Sequence, residues 1–507
     1  MNIILTREGF LIQKKNVDIQ ILNKIKKDLT VKPKVNKEYC DEIKPYPIYT
    51  ETEKTICIPR YYGFELLGKH SKTKNFLAKK IKFDFLFTLR DYQIPITKIC
   101  LDKIKKTGGG LIQLPCGRGK TITAIYLASV LKVKTIVVVH KTFLQNQWYD
   151  RIKESTNAKI GIIRQKKIDI ENKDIVIAML QSLSMIDYDK NIFKDFGFAI
   201  FDEVHHTGSR VYSNALKKIG CKYTLGLSAT PERTDGLTKV IKWYLGDFIY
   251  REEHKNEIHV NVLKFKFKSD HKLFQEKKRW IKGSVKPDLV KMITNICNLE
   301  ERNKFISIII NFLRNQKDRK ILLLSDRIKH LEDLKKLVDN NIKDDEKKGL
   351  IDIDEIKTAF YIGRMKSYEL IDAEEADILF ASYKMAEEGL DIPSLNTLIF
   401  ATSKKKIEQC VGRILRKKDS NKLIIDITDM LSRFKNHSHI RHNFYLKNEY
   451  NINTFNYTNG NFVSKKEIVR KEMNLTEEEY NEVYSDESDD TPTDINEILN
   501  KYECVNE

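Results

Sequence analysis

A glycine-containing loop that ends in Gly119, Lys120 and Thr121 carries residue types suited to hold a chain of phosphates. Gly117 and Gly119 let backbone N–H groups approach phosphate oxygens, Lys120 reaches the terminal phosphates, and the Thr121 hydroxyl is a ligand type for Mg²⁺. The strict form of this loop has glycine where this chain has Leu114, and a Gly-Lys-Thr triplet also arises by chance. A buried strand before it and a helix after it favour nucleotide binding. The loop residues predicted to contact a nucleotide are Pro115, Cys116, Gly117, Arg118, Gly119, Lys120 and Thr121.

An acidic pair follows a later apolar segment. Asp202 and Glu203 end the sequence FAIFDE, and His205 comes directly after them. At the end of a strand beside a phosphate loop, Asp202 would share Mg²⁺ with Thr121, and Glu203 would orient and deprotonate an attacking water. An isolated acidic pair is usually a solvated surface feature. The prediction of catalysis therefore depends on the phosphate loop that precedes it.

Gln93 is a third candidate, in the segment LRDYQ before the phosphate loop. A glutamine amide offers one acceptor and one donor side by side, which matches the N6 and N7 edge of adenine. An ordinary glutamine at a helix start is the alternative. The other motifs favour a nucleotide contact.

The elements that position these residues repeat in two parts of the chain. Short apolar runs alternate with longer amphipathic stretches, which is typical of parallel strands separated by helices. We therefore predict an α/β fold with two such domains, at residues 85–251 and 304–475. The lysine-rich stretch 252–303 has weaker periodicity and is predicted to be a linker or a small inserted helical element.

The two ends of the chain carry no motif that can be tied to chemistry. Residues 1–84 are predicted to form an accessory N-terminal domain. Residues 476–507 include the acidic run EEEYNEVYSDESDD, whose repulsion disfavours compact packing, so an acidic, disordered tail is predicted there.

Composition limits the class of protein. A chain of 507 residues is long enough for two or three domains, and its apolar runs are too short to span a bilayer. The start lacks a basic segment before a long apolar core, so an intracellular protein without a membrane partner is expected. The formal net charge of +19 favours a polyanionic partner such as nucleic acid, although a lysine-rich surface gives the same charge. The eight scattered cysteines suggest neither a zinc site nor a disulfide framework.

The order of these motifs resembles that of superfamily 2 helicases and translocases, from Leu89 to about Asp429. LSATPERTDG resembles the segment that couples the nucleotide site to the nucleic-acid track through Ser228 and Thr230, with His205. MAEEGLDIP resembles a nucleotide-contacting motif. QCVGRILR resembles the motif with catalytic Gln409, Arg413 and Arg416. The resemblance implies two tandem RecA-like domains, parallel sheets flanked by helices, that use ATP and Mg²⁺; the matching residues of MAEEGLDIP are Gly389 and Asp391.

Phosphoryl transfer spreads negative charge over the γ-phosphate, and arginines from a facing domain stabilise that charge. Arg413 and Arg416 are spaced to share one helix face, although a basic helix face would look the same. Two further segments resemble single-strand contacts: HKTFLQNQW, and MLQSL with Gln181 and Ser182. Trp148 is an aromatic residue of the first segment, and we expect it in the core rather than stacked on a base.

Within the superfamily, the chain looks most similar to the XPB-like branch, including helicases of large cytoplasmic DNA viruses and poxvirus-type transcript-release helicases. This resemblance implies a DNA-stimulated ATPase in transcription or repair, with transcription machinery as a partner and the host cytoplasm or the virion as its location. Val204 and His205 replace the last two residues of the DEAD signature of RNA helicases. An XPB-type Arg-Glu-Asp motif for strand separation is not found, which leaves translocation without unwinding open.

Two alternatives stay open at this stage. The first is an ATP-dependent RNA helicase, which would be stimulated by RNA rather than DNA. The second is a non-catalytic scaffold or packaging protein, which the net charge favours but which would need none of the catalytic residues. A nuclease subunit would need a further carboxylate–lysine cluster, which the sequence does not show.

Overall fold

The computed structural model divides the chain into two compact units, Met1–Glu253 and His254–Glu507. The residues that it describes are 3–33, 44–68, 72–73, 78–115, 118–206, 213–229, 232–233, 235–252, 259–281, 284–316, 318–349, 356–388, 390, 392–416, 421–463 and 494–503. Helices of the described residues are all too short or too polar to cross a membrane.

The first unit begins with a small sheet whose strands lie in the order β5-β6-β2-β1-β7. Its pairings are antiparallel, apart from the parallel contact of β1 with β7. A short antiparallel pair, β3 and β4, lies beside it. The elements are β1 (Ile3–Thr6), β2 (Gly9–Gln13), α1 (Ile19–Asp28), β3 (Thr30–Val31), β4 (Tyr46–Pro47), β5 (Thr50–Glu51), β6 (Thr55–Ile58), α2 (Arg60–Leu67) and β7 (Lys72–Thr73).

This N-terminal region shares its hydrophobic core with the α/β domain that follows it. The rings of Tyr62 and Trp243 lie 5.1 Å apart, and the Tyr244 hydroxyl donates to the Ile48 carbonyl over 2.5 Å. Arg7 donates from one guanidinium nitrogen to the carbonyls of Phe193, Phe196 and Gly220. The region predicted to be an accessory domain is therefore docked on its neighbour rather than built around a core of its own.

The first α/β domain is an eight-stranded sheet in the order β11-β10-β12-β9-β13-β14-β8-β15. Neighbouring strands are parallel, apart from the antiparallel edge pair β10 and β11. The elements are α3 (Gln93–Thr107), β8 (Gly109–Gln113), α4 (Lys120–Leu131), β9 (Thr135–Val139), α5 (Thr142–Ser155), β10 (Ile160–Arg164), β11 (Lys167–Ile168), β12 (Ile175–Met179), α6 (Leu180–Met185), β13 (Phe198–Phe201), α7 (Ser213–Lys218), β14 (Tyr223–Ser228), α8 (Thr238–Leu245) and β15 (Phe248–Arg251).

Both faces of this sheet are covered, which explains why its central strands are apolar throughout. Every residue of β9, β12 and β13 is buried. Along β9, Ile136 and Val138 pack into one hydrophobic cluster, while Val137 and Val139 pack into another on the opposite face. Successive side chains of a strand point to opposite faces, so a strand between two helical layers needs apolar residues at every position.

The second unit contains an eight-stranded sheet in the order β20-β21-β19-β22-β23-β16-β24-β25, parallel apart from the hairpin β24 and β25. The elements are β16 (Val260–Lys268), β17 (Lys278–Ile281), β18 (Ser284–Pro287), α9 (Leu289–Cys297), α10 (Glu300–Arg314), β19 (Ile321–Ser325), α11 (Ile328–Lys347), β20 (Thr358–Tyr361), α12 (Ser367–Ala373), β21 (Ile378–Ser382), α13 (Tyr383–Glu388), β22 (Thr397–Phe400), α14 (Glu408–Ile414), β23 (Lys422–Asp429), α15 (Ser432–Lys447), β24 (Asn451–Thr458), β25 (Asn461–Val463) and α16 (Ile495–Glu503).

The prediction of a linker or helical insertion at 252–303 is wrong for most of its length. β16 lies between β23 and β24 in the sheet, and a hairpin and α9 follow it. In this strand Phe265 and Phe267 are buried, and the long stem of Lys264 is buried as well. Lysine stems cover apolar surface readily, so a lysine-rich strand can lie inside a sheet.

The predicted disordered tail is also wrong where it is described. Residues 464–493 lie outside the described part of the chain, but Ile495–Glu503 forms α16. Ile495, Ile498 and Leu499 are buried in the core that contains the apolar face of α10. Their i, i+3, i+4 spacing makes one apolar stripe, which outweighs the acidic composition of the segment.

Candidate nucleotide-binding and hydrolysis site

The phosphate loop connects the buried strand β8 to the start of α4. Gly119 is the residue before the helix and has a left-handed backbone, with φ of 70° and ψ of 37°. A Cβ atom there would lie 2.4 Å from the Gln93 amide nitrogen, so only glycine fits without displacing that side chain. Cys116 and Gly117 lie outside the described residues.

Lys120 is the first residue of α4, and its ammonium group turns back over the loop. It donates to the Leu114 carbonyl over 3.2 Å and to the Pro115 carbonyl over 3.4 Å. Neutral carbonyls are weaker partners for an ammonium group than phosphate oxygens are. The structure therefore places the Lys120 charge at the loop mouth, beside the positive end of the helix. Thr121 follows it within the first turn.

Gln93 and Arg118 make separate contacts around this loop. Gln93 is 3% exposed, and its carbonyl oxygen accepts the Arg90 backbone N–H over 3.0 Å. Arg118 stacks on the Tyr92 ring at 4.7 Å and forms an ion pair of 2.6 Å with Glu252. The Gln93 side chain, at the start of α3, therefore lies against Gly119 of the phosphate loop.

Asp202 and Glu203 follow the carboxyl end of β13. One Asp202 oxygen accepts the Trp148 indole N–H over 2.8 Å, and the other accepts the Glu203 backbone N–H over 2.9 Å. Burial and the neighbouring Glu203 carboxylate raise the pKa of Asp202 to about 6, against the lowering effects of the Trp148 indole and the Lys120 ammonium. The electrostatic effect of Lys120 on Asp202 joins the phosphate loop and the acidic pair into one site.

Glu203 is held in an unusual backbone conformation. Its φ is 45°, in the left-handed region that a residue with a side chain rarely adopts. Such a conformation costs about 1–3 kcal/mol and persists only where the surroundings impose it. Its buried Oε2 atom has no hydrogen-bond partner among the described residues and lies 3.5 Å from His205 Nδ1. No hydrogen bond within the described residues therefore uses this oxygen to hold the local structure.

His205 links this strand end to the next one. Its Nδ1 atom lies 3.0 Å from the hydroxyl of Ser228, the last residue of β14. Arg233 donates to the His205 carbonyl and forms a bidentate pair with Asp235, with 2.9 Å between Arg233 Nε and Asp235 Oδ1. The predicted coupling residues His205 and Ser228 are therefore in contact. Thr230 lies outside the described residues.

Gln181 and Ser182 lie at the start of α6, and both side chains contact the protein itself. The Gln181 amide donates to the His140 carbonyl, and the Ser182 hydroxyl accepts the Gln165 backbone N–H over 2.9 Å. Ser182 is buried. The Ser182 hydroxyl thus serves as an acceptor for the turn after β10.

Three predicted residues of the second unit lie on or after α14. Arg413 donates to the carbonyls of Ala386, Glu387 and Leu390, with distances of 2.7 Å to Ala386 and 2.9 Å to Leu390. Arg416 also donates to Leu390, over 3.1 Å. The prediction of one helix face for both arginines is wrong, because α14 ends at Ile414 with a cap at Leu415. Gln409 is half-buried one turn earlier, and Gly389 and Asp391 lie outside the described residues.

Two family models match the chain. Residues 86–233 match the type III restriction enzyme res subunit, and residues 303–418 match the helicase conserved C-terminal domain. The L396 protein of Acanthamoeba polyphaga mimivirus, which is named as an ATP-dependent RNA helicase, is 39% identical over 457 residues, or 88% of this chain and 86% of that protein. The chain belongs to the superfamily 2 helicases.

A second relative of this helicase is the DNA 3'-5' translocase XPB2 of Sulfurisphaera tokodaii. It is 28% identical over 375 residues, which cover 67% of this chain and 81% of that protein. The solved structure of the type ISP restriction-modification enzyme LlaBIII bound to DNA shares the fold, with a TM-score of 0.52, 16% identity, and coverage of 74% of this chain and 32% of that one. The predicted resemblance to viral helicases and the XPB-like branch, and the two tandem RecA-like domains, are confirmed. The protein is an ATP-dependent helicase.

The sequence analysis did not predict that Trp148 contacts the acidic pair of this helicase. Its indole is 1% exposed, as a core residue should be, yet its N–H is directed at Asp202. Trp148 lies on α5, and the start of α5 follows the carboxyl end of β9. A buried indole N–H needs an acceptor, so a tryptophan expected in the core also implies a polar partner nearby.

Replacing Trp148 by phenylalanine is expected to weaken Mg²⁺-dependent nucleotide binding by about tenfold, the effect of losing one hydrogen bond of ~1.4 kcal/mol to a charged group. The phenyl ring fills most of the space but leaves Asp202 without its indole donor. Titration of a fluorescent ATP analogue at several Mg²⁺ concentrations measures the effect. Trp243→Phe in the same unit is the control, and an unchanged Mg²⁺ dependence in Trp148→Phe would contradict the assignment.

Proposed function

We propose that Lys120, Thr121, Asp202 and Glu203 form the ATP-hydrolysis site of this helicase, and that its turnover moves the protein along one strand of nucleic acid. The observation that carries the proposal is the joined charge system of the first domain. Lys120 acts on the Asp202 carboxylate, which Trp148 and the Glu203 backbone hold in place. These groups would supply the positive charge, the metal ligands and the base that phosphoryl transfer needs.

The residues fit a magnesium ion. The Asp202 carboxylate and the Thr121 hydroxyl offer the oxygen ligands that Mg²⁺ prefers. When bound with ATP, Mg²⁺ neutralises charge on the β- and γ-phosphate oxygens. Asp202 and Thr121 would hold it. Lys120 would exchange its two carbonyl partners for phosphate oxygens.

Glu203 is the proposed base. Its orphaned Oε2 atom accepts a proton from the attacking water, and its strained backbone fixes the direction of the carboxylate. His205, 3.5 Å from that oxygen, contacts Ser228 in turn. A change in the charge of Glu203 during turnover therefore reaches the segment after β14, which supports coupling through His205, Ser228 and Thr230.

The second domain contributes Gln409, Arg413 and Arg416 to the proposal. Arg413 holds three carbonyls of the motif MAEEGLDIP, those of Ala386, Glu387 and Leu390. Gly389 and Asp391 are proposed nucleotide contacts on the strength of that motif. Arg416 is the proposed donor to the transition-state charge of phosphoryl transfer.

DNA is the preferred track in this proposal. The net charge of +19 suits a phosphate backbone, and XPB2, the relative from Sulfurisphaera tokodaii, is named as a DNA translocase. The Gln181 side chain and the protein main chain around Ser182 are proposed to contact the phosphates of the bound strand. RNA is the second candidate, because the L396 protein, at 39% identity, is named as an RNA helicase.

The biological setting is proposed from the resemblance to the XPB-like branch. We propose a role in transcript release or repair, with transcription machinery as a partner, in an intracellular compartment. The mimivirus relative supports the host cytoplasm or the virion as that compartment.

The test is the ATPase rate of the full chain with no nucleic acid, single-stranded DNA, duplex DNA and RNA of equal length. Stronger stimulation by DNA than by RNA is the expected result. Stimulation by RNA alone would move the assignment to an RNA helicase. Absence of ATP turnover under all four conditions would overturn the motor and favour a nucleic-acid scaffold.

A further inference from the structure

A β-hairpin leaves the carboxyl edge of the second sheet. It follows β16, which runs parallel to β23 and ends at Lys268, and it consists of β17 and β18. The chain then enters α9, whose Val290 carbonyl accepts Arg327 from the carboxyl end of β19 over 3.5 Å. Ligands of parallel α/β sheets bind at this edge, beyond the carboxyl ends of the strands.

The base of the hairpin is fixed to the sheet. Both Glu276 oxygens accept from Ser432, which follows β23, with 3.0 Å to its hydroxyl. The Lys277 carbonyl accepts the Asp288 backbone N–H over 2.6 Å and closes the hairpin. Phe274 is buried, with its ring 5.7 Å from that of Phe267. The strands beyond this base are therefore held in a defined place without a core of their own.

The outer part of the hairpin presents an exposed aromatic residue. Trp280 is 75% exposed, and its cross-strand partner Val285 is 50% exposed. The other two tryptophans lie within the fold, Trp148 fully and Trp243 in part. An exposed tryptophan on a two-stranded hairpin adds little to folding, since such a hairpin has no layer to pack against. Its exposure suits a partner with a flat aromatic surface.

The same hairpin is strongly basic. Residues 277–286 read KKRWIKGSVK, with five cationic residues and no acidic one. Arg279 lies directly opposite Lys286 across the two strands. Closely spaced cations of this kind attract the phosphates of a nucleic-acid backbone.

We propose that this hairpin binds a single strand of nucleic acid, with Trp280 stacked on a base and Arg279, Lys278 and Lys286 bound to the flanking phosphates. A single-strand site that tolerates any sequence combines cations with an aromatic platform. The positive charge of the hairpin excludes a neutral partner or one with few acidic groups. The inference rests on the proposed function and adds to it a strand contact outside the motor motifs. The hairpin would supply a base-stacking element in a sequence where the Arg-Glu-Asp motif for strand separation is not found.

The test uses the full chain and three variants: Trp280→Ala, Trp280→Phe and, as the matched control, Tyr368→Ala. Tyr368 is 57% exposed on α12 in the same unit and also lies beside a lysine, Lys366, at 5.6 Å. Affinity for fluorescent single-stranded DNA and RNA of equal length is measured by polarisation. We expect Trp280→Ala to weaken binding by about 5- to 150-fold, the range for loss of one base–aromatic stack, with Trp280→Phe between it and wild type. Tyr368→Ala should bind as wild type does.

Intrinsic tryptophan fluorescence gives a second readout. Stacking on a base quenches an indole, so addition of the strand should quench wild type but not Trp280→Phe. Basal ATP turnover without nucleic acid should be unchanged in every variant, which shows that the fold and the hydrolysis site are intact. Replacing both Arg279 and Lys286 by alanine should lower the salt dependence of binding by about two phosphate contacts.

The outcomes separate this inference from the proposed function. Equal affinity and equal quenching in wild type and Trp280→Ala would overturn the hairpin site alone. Failure of wild type to bind either strand would overturn the hairpin site and the motor together. Binding of wild type to phosphatidylserine vesicles or to a protein partner through Trp280, with strand affinity unaffected by the substitution, would also overturn it.

Discussion

Replacing Glu203 by glutamine is expected to reduce ATP turnover by about 10²–10⁴-fold, the contribution typical of a positioned general base. Glutamine keeps the size of the side chain but cannot accept the proton of the attacking water. ATP binding should persist, because Lys120, Thr121 and Asp202 are unchanged. Steady-state ATPase assays with saturating single-stranded DNA, together with equilibrium binding of a fluorescent ATP analogue, measure both effects.

Glu154→Gln is the matched control for this substitution. Glu154 lies on α5 of the same domain, is exposed, and pairs with Arg151 over 2.9 Å at the surface. Its replacement should leave turnover unchanged, since exposed pairs contribute little. If Glu203→Gln hydrolysed ATP at the rate of the control, the base would have to be another group. Loss of ATP binding together with turnover would instead show that Glu203 supports the loop structure.

The parallel strands of both domains were predictable because each strand is one short apolar segment of the sequence. FAIFDE and KILLLSD are apolar at successive positions, which is what a strand covered on both faces requires, and they form β13 and β19. The phosphate loop and the acidic pair follow such strands directly, so their meeting at one sheet edge follows from the parallel topology.

Long-range contacts explain what the sequence did not predict. The partners of β16 lie on β23 and β24, and only that pairing buries Phe265 and Phe267. Trp148 donates to Asp202, 54 residues away, and α5 gives no local sign of that direction. The exposure of Trp280 likewise depends on the position of its hairpin, which the local sequence does not give. Each of these three segments has a composition typical of another class: β16 that of a linker, α5 that of a plain core helix, and the hairpin that of a basic loop.

A buried ion pair stabilises the second sheet beneath its carboxyl edge. Arg441 of α15 donates to both oxygens of Asp426 on β23, over 2.6 Å and 2.8 Å, and the Tyr445 hydroxyl donates over 2.9 Å. Both charged side chains are fully buried. Burial alone acts to raise the pKa of Asp426, but the charge and hydrogen bonds of Arg441 outweigh it and leave that pKa lowered. Arg441 therefore favours the ionised form of this buried carboxylate.

Arg441→Met is expected to lower the free energy of opening of this sheet by about 3–5 kcal/mol, because it leaves the buried Asp426 charge without its bidentate partner. Hydrogen exchange of the β23 amides in the full chain measures that free energy. Lys435→Met, an exposed substitution on the same helix, should cost little. A double variant, Arg441→Met with Asp426→Asn, should recover part of the loss, since no unpaired charge remains.

The stability difference between wild type and Arg441→Met is also expected to depend on pH. A lowered folded-state pKa means that the pair stabilises wild type above the unfolded pKa of Asp, about 3.9, and that this stability is lost as the pH falls through the folded value. In Arg441→Met the unpaired carboxylate takes up a proton more readily, so acid relieves its burial cost. The difference between wild type and Arg441→Met should therefore narrow as the pH is lowered toward about 4. A difference that stays constant over that interval would show that lost packing of the Arg441 stem, rather than the unpaired charge, causes the loss.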